Sequence, residues 1–113
     1  MGFFKKDLNI GDDAVAINHR LLNLTIPYSE IGHIDLVDLH SFNIGQLVSG
    51  EKDDRVMVGQ FVNSSFGNYQ MYVHPQAGKC IIVTYGDGKT LVFNMKKDSA
   101  TEKAAAKIGA VEE

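Results

Sequence analysis

Metal binding is the first chemistry that this sequence could support. Its candidate ligands are the single cysteine and the four histidines, at Cys80, His19, His33, His40 and His74. A structural zinc site uses closely spaced ligand pairs, yet no Cys-x-x-Cys or His-x-x-x-His pair occurs. His33 with Asp35, and Asp38 with His40, are two residues apart and would each share a strand face. Such pairs supply too few ligands, so we predict no metal site and no cofactor.

Nucleophilic and phosphate-binding chemistry has little more support. The Gly-x-Ser-x-Gly elbow of serine hydrolases is missing, and His74 stands directly before a proline turn. The run Gly86-Asp87-Gly88-Lys89 lacks the phosphate-loop spacing and a following helix, so it predicts a hairpin tip. We therefore predict a protein that is not an enzyme. A small-ligand pocket, if one exists, is expected near Tyr28, His33 and Tyr72.

Composition and charge restrict the partners further. A formal net charge of -3 and a pI near 5.7 give no general attraction to nucleic acid or to anionic lipid. The carboxylate pairs Asp12-Asp13 and Asp53-Asp54 lie in polar stretches and are expected to be solvated. Cys80 precedes an apolar run, which predicts a buried, unreactive thiol. Because the net charge is negative, we expect no binding to nucleic acid. Because the sequence has no apolar run of ~20 residues and no signal-peptide core, we expect a cytoplasmic protein.

The elements that must position these residues are mostly strands. Period-two alternation of apolar residues predicts about seven of them, at residues 14–17, 22–27, 31–39, 56–61, 69–74 and 80–85, with a last strand through Leu91 and Phe93. Pro27 should end the second strand because it cannot donate a ladder hydrogen bond. Irregular alternation in the third strand indicates either a bulge or burial of both faces. Residues 80–85 are apolar almost throughout, which predicts a strand covered on both sides.

A long stretch between the third and fourth predicted strands lacks this alternation of apolar residues. Residues 41–55 are rich in glycine and polar side chains, and we predict a loop there. Its apolar residues must either pack beneath the loop or contact a partner. The candidate partner contacts in this loop are Phe42, Ile44, Leu47, Val48 and Arg55.

The two ends of the chain differ in character. Residues 1–13 are predicted to form an N-terminal arm, and residues 14–113 the domain itself. Phe3, Phe4, Lys5 and Lys6 make an apolar and basic tip that could contact a membrane weakly or another subunit.

The C-terminal stretch changes to helical periodicity. We predict a helix over about residues 99–111, with a capping box from Ser99 to Glu102. Thr101, Ala104, Ile108 and Val111 recur on one side and should dock the helix on the sheet.

Several short motifs follow one another in the order seen in a known family. They are Met1-Gly2-Phe3-Phe4, Ile26-Pro27-Tyr28-Ser29-Glu30-Ile31, Tyr72-Val73-His74 and Ile81-Ile82-Val83-Thr84, with glycines at Gly45, Gly50, Gly59 and Gly67. In these the chain resembles the bacterial pleckstrin-homology-like (PH-like) domain family. The resemblance implies a mainly β fold, a bent β-sandwich or partly open barrel of about seven antiparallel strands capped by one C-terminal α-helix. It also implies a scaffold that binds peptides, lipids or neighbouring subunits.

The resemblance also bears on inositol phosphates. Eukaryotic phosphoinositide binders of this fold carry a basic cluster on the first hairpin, where this chain has only His19 and Arg20. We therefore expect no inositol-phosphate binding.

The function expected from the sequence is a non-enzymatic interaction module that mediates protein–protein contacts or self-association into a homo-oligomer. The alternative is a weak peripheral membrane protein that uses the Phe3-Phe4-Lys5-Lys6 arm. A small-ligand binder or an enzyme is the third possibility.

Overall fold

The computed structural model describes residues 7–112, with side chains as far as Gly109, and is mainly β with one C-terminal helix. The nine strands of the described residues are β1 (Leu8–Ile10), β2 (Ala14–His19), β3 (Leu22–Pro27), β4 (Ile31–Asp38), β5 (Gln46–Lys52), β6 (Met57–Asn63), β7 (Gly67–Val73), β8 (Lys79–Tyr85) and β9 (Lys89–Phe93). The helix α1 spans Asp98–Glu112, and 3-10 turns occupy Tyr28–Glu30 and Leu39–Ser41. The predicted fold, a β-sandwich or open barrel with a helical cap, is confirmed at this level.

The strands form two sheets. One has the order β1-β2-β3, and the other has the order β4-β8-β9-β7-β6-β5. Neighbouring strands are antiparallel except β7 and β9, which pair in parallel through Gln70 to Tyr72. This parallel pair differs from the antiparallel arrangement expected from the sequence. It arises because the β8–β9 hairpin folds back and places β9 between β7 and β8.

Two strands lie where the sequence predicted none. Part of the predicted 1–13 arm is strand β1, and its Leu8 is buried in the first core cluster. A strand of three residues is too short to show an alternation of apolar residues in the sequence. Part of the predicted 41–55 loop is strand β5. Alternation of apolar residues does not mark β5, because both of its faces are largely exposed and its register with β6 shifts between Leu47 and Ser49.

Alternation along the six-stranded sheet builds two apolar clusters on its opposite faces. Ile81 and Val83 of β8 belong to the first cluster, between the sheets and beneath α1, whereas Cys80 belongs to the second. The expectation that this strand is covered on both sides is therefore correct. On β4, Ile34 packs against the first cluster and Val37 against the second, and a bulge lies near its start.

The second cluster is covered by the chain itself. Since β4 and β5 are the two outer strands of the same sheet, residues 39–45 must pass from one edge to the other, and we call them the crossing segment. Its Leu39, Phe42 and Ile44 pack against the second cluster. The segment is anchored where the Tyr69 hydroxyl donates to the carbonyl oxygen of Ile44 at 2.6 Å.

Helix α1 docks through Thr101, Ala104 and Ile108, as its spacing predicts. The predicted capping box is wrong, because Glu102 lies beside the Lys79 ammonium at 3.7 Å and does not reach back to the cap. The helix already begins at Asp98, and the amide groups of Ala100 and Thr101 donate to the carbonyl oxygen of Lys97.

Candidate functional site

The outer edge of β5 is the first candidate site. This strand pairs with β6 on one side, and within residues 7–112 no strand pairs with its other side. Six of its seven residues are exposed. We call the strand Gln46–Lys52 and its unpaired side the β5 edge.

Apolar side chains accompany these unpaired backbone groups. Val48 is 59% exposed and Leu47 is 39% exposed, although both are large and apolar. Among the described side chains the third such residue is Leu36, on β4 at the opposite edge of the same sheet. These exposed large apolar residues thus lie on the two outer strands of the six-stranded sheet.

The five predicted loop contacts separate into three groups. Leu47 and Val48 lie on the β5 edge. Phe42 and Ile44 are partly buried in the second cluster, so their expected availability to a partner is reduced; the Phe42 ring lies 5.8 Å from Phe66 and 5.9 Å from Tyr69. Packing beneath the crossing segment accounts for these two residues.

Arg55 lies in the turn between β5 and β6. Its backbone amide donates to the Asp53 carboxylate at 2.8 Å, and the amide of Val56 donates to the same oxygen at 3.0 Å. These two bonds hold the pKa of Asp53 below its usual range. The exposed Arg55 side chain lines a depression of about 310 Å³, which brings it beside residues far away in the sequence.

A second candidate site surrounds His74. A groove of about 700 Å³ adjoins the depression of Arg55, and the two share His74 and Lys96. We call both together the His74 groove. The residues lining its larger lobe are Asp7, Leu8, Asn9, Ile10, Tyr72, His74, Met95, Lys96 and Ala100. The smaller lobe is lined by Arg55, His74, Gln76, Ala77 and Lys96.

The backbone of His74 is held firmly. Its amide donates to the side-chain oxygen of the fully buried Asn94 at 2.7 Å, and the Asn94 amide group donates back to the carbonyl oxygen of His74 at 3.2 Å. The imidazole meets the Tyr72 ring edge-to-face, with centroids 5.4 Å apart. These contacts fix where the ring stands in the groove.

The groove also changes the acid–base behaviour of its side chains. Burial lowers the pKa of His74 and the Lys96 charge acts in the same direction, while bonding to the Arg55 backbone and the Asp7 charge oppose them. Burial raises the pKa of Tyr72 to about 12, and Asp7 contributes to that shift. The Tyr72 hydroxyl donates to the Asp7 carboxylate at 3.4 Å.

The pocket expected near Tyr28, His33 and Tyr72 is not formed by these residues together. The Tyr28 hydroxyl donates to the carbonyl oxygen of Gly11. His33 lies on the exposed edge strand β4 beside Asp35, at 3.2 Å. Tyr72 alone lines the His74 groove, and no sequence signal pointed to its other lining residues because they come from separate elements.

Other predicted features are placed as follows. Cys80 is fully buried, and burial raises the pKa of its thiol to about 12. In the part of the chain that the structure describes, no three His, Cys, Asp or Glu side chains converge as metal ligands. The candidate contacts Phe3, Phe4, Lys5 and Lys6 lie outside the described residues.

Two further observations complete the description of the sites. No helix among residues 7–112 has both the length and the apolar character needed to cross a membrane. The chain matches no protein-family model, no curated protein and no solved structure.

Proposed function

We propose that this chain is a non-enzymatic interaction module that self-associates by pairing the β5 edge of one copy with the β5 edge of another. The observation that carries the proposal is Val48, an apolar side chain 59% exposed on the outermost strand of the larger sheet. An open edge strand offers unpaired amide and carbonyl groups that a second strand satisfies.

The sequence of β5 suits antiparallel pairing with itself. Centred on Ser49, such a pair sets Gln46 opposite Lys52 and Leu47 opposite Glu51, so no like charges face each other across the strands. It also sets Val48 opposite Gly50, which leaves room for the valine side chain.

The same strand explains why the association should be weak. Its register shift and the backbone of Gly50 bend the strand, and bends of this kind shorten the segment that can pair. Burying one short strand gives an interface at the small end of the range for specific complexes. We therefore expect a dimer with a dissociation constant in the micromolar range or weaker.

We also propose that the chain is a PH-like domain of the bacterial type and that it works in the cytoplasm. Two observations support the family: a two-sheet β architecture with one C-terminal helix, and the Ile26-Pro27-Tyr28 motif that leads into a 3-10 turn before β4. A single, deeply buried cysteine, Cys80, agrees with a reducing compartment.

Sedimentation velocity over a range of protein concentrations tests the self-association. The wild type should sediment as a mixture of monomer and dimer, and Val48→Lys should remain monomeric because a lysine on an edge strand opposes pairing. Ser65→Lys is the matched control, since it adds the same charge at an exposed turn residue and should dimerise like the wild type. A wild type that stays monomeric, or a control that loses the dimer equally, would contradict the proposal.

A further inference from the structure

The His74 groove combines two environments in two depressions that share His74 and Lys96. Its larger lobe, of about 700 Å³, has apolar walls from Leu8, Ile10 and Met95 and polar groups from Asp7, Asn9 and Lys96. Its volume lies within the range typical of small-molecule sites. The smaller lobe adjoins it through His74 and Lys96. A ligand could therefore place one part in each lobe.

The two lobes differ in charge. Arg55 and Lys96 both line the smaller lobe, with His74 between the lobes. Within the described residues, neither Arg55 nor Lys96 lies within ion-pair distance of a carboxylate. The Arg55 charge does act on Asp53, whose pKa it helps to lower, but Asp53 lines neither lobe. Two cations that make no ion pair and line the same lobe favour an anionic group placed between them.

The carboxylates nearby do not remove this preference. Asp7 supplies the one carboxylate that lines either lobe, and it lies in the larger lobe, where the Tyr72 hydroxyl donates to it. Asp53 and Asp54 line another depression, which shares Gln76 with the smaller lobe, and neither carboxylate lines the His74 groove itself.

We propose that the His74 groove binds an amphipathic anion, with its apolar part in the larger lobe and its carboxylate or phosphate head between Arg55 and Lys96. The arginine fork and the lysine ammonium both donate to such a head group. His74, held by Asn94, stands at the junction and donates a further hydrogen bond once it is protonated. This site is separate from the β5 edge and does not depend on self-association.

Bound ligand should also affect the protonation of His74. The charged and titratable groups that face its ring are Asp7 just before β1, Tyr72 from β7, Arg55 from the β5–β6 turn and Lys96 after β9. An anion bound beside the ring favours the imidazolium form, so binding should tighten as the pH falls.

The experiment is a titration of the full-length protein with octanoate, octyl phosphate and the neutral control octanol, followed by amide and histidine NMR shifts. Both anions should shift the groove residues, whereas octanol should bind at least about tenfold more weakly, which corresponds to about 1.4 kcal/mol. The two anions distinguish a carboxylate from a phosphate preference. Saturating octanoate should raise the pKa of His74.

Variants locate the binding site. The double variant Arg55→Gln, Lys96→Gln should weaken octanoate binding by at least about tenfold, since it removes both charged donors to the anionic head group. Lys97→Gln removes an exposed neighbouring charge that lines neither lobe and should bind within about twofold of the wild type. Thermal unfolding checks that both variants remain folded.

Three results would overturn the proposal. Equal affinity for octanol and octanoate would remove the anionic subsite. Equal weakening by Lys97→Gln and by the double variant would show a general charge effect. The third is octanoate binding that appears only after deletion of residues 1–6, because these residues would then compete with the anion for the groove in the full-length protein.

Discussion

Gly50 of β5 and Gly59 of β6 face each other across the strand pair, and both have positive φ, 136° and 130°. A Cβ on Gly59 would lie 2.2 Å from the carbonyl oxygen of Ser49, and one on Gly50 would lie 2.1 Å from that of Val58. Neither position therefore accepts a side chain without moving the neighbouring strand. This contact sets how β5 lies against the sheet and thus the shape of the β5 edge.

Gly59→Ala should lower the free energy of unfolding by about 2–4 kcal/mol, because strained φ and a backbone clash act together. Gly67→Ala is the matched control: φ is also positive there, at 70°, but no atom lies within 4 Å of the added carbon. It should cost only about 1–2 kcal/mol. Urea unfolding measures the free energy of unfolding of both variants. An equal decrease in the two would show that the close approach of Gly59 to β5 does not contribute to stability.

Asp98 joins the start of α1 to the start of β8. Its carboxylate accepts the amide groups of Gly78 at 2.9 Å and Lys79 at 3.0 Å. Asp98→Ala should cost about 1–3 kcal/mol, since it leaves two partly buried amides without their acceptor. Ser99→Ala should change stability by less than about 0.5 kcal/mol. A loss of about 1 kcal/mol for Ser99→Ala alone would instead support the capping box.

Phe42→Ala tests whether the crossing segment is part of the core. The ring packs among Phe66 and Tyr69, so its removal should cost about 2–4 kcal/mol. Leu47→Ala removes a similarly apolar side chain from the exposed β5 edge and should cost less than about 1 kcal/mol. Chemical denaturation of the monomer at low concentration provides the comparison. If both variants lowered the free energy of unfolding by a similar amount, the packing of residues 39–45 against the second cluster would not contribute to stability.

The lowered pKa of His74 predicts that stability depends on pH. The unfolded chain, in which the pKa of this imidazole is near 6.5, takes up the proton more readily than the folded protein. Stability should therefore fall as the pH drops through about 6.5 toward the lower folded-state value. His74→Gln should reduce this fall, as followed by melting temperatures between about pH 7.5 and about pH 5. An unchanged pH profile in the variant would show that His74 is not the group responsible.

Two kinds of pattern explain which elements were predictable. Helix α1 buries Thr101, Ala104 and Ile108 at helical spacing, and strand β8, which is covered on both faces, is apolar almost throughout residues 80–85. Strand β5 has no such marker because it buries neither face, and its pairing depends on backbone groups of β6. Edge strands of this kind carry little sequence signal.

The His74 groove could not be predicted for a different reason. Asp7, Arg55, His74 and Lys96 lie far apart in the sequence and line the groove only in the folded chain, because they come from four places: before β1, between β5 and β6, after β7 and after β9. The parallel pairing of β7 with β9 is equally non-local. By contrast, Leu47 and Val48 are predictable as candidate contacts, because apolar residues in a polar, glycine-rich stretch must either pack beneath it or stay exposed.

Isotope-filtered NMR on a mixture of labelled and unlabelled protein tests the central claim most directly. Self-association through β5 predicts intermolecular contacts between the Val48 methyl groups of one copy and Gly50 of the other, and the loss of these contacts in Val48→Lys. Intermolecular contacts confined to other surfaces, such as Leu36 on β4, would contradict the claim, as would the absence of any intermolecular contact at concentrations where the dimer should form.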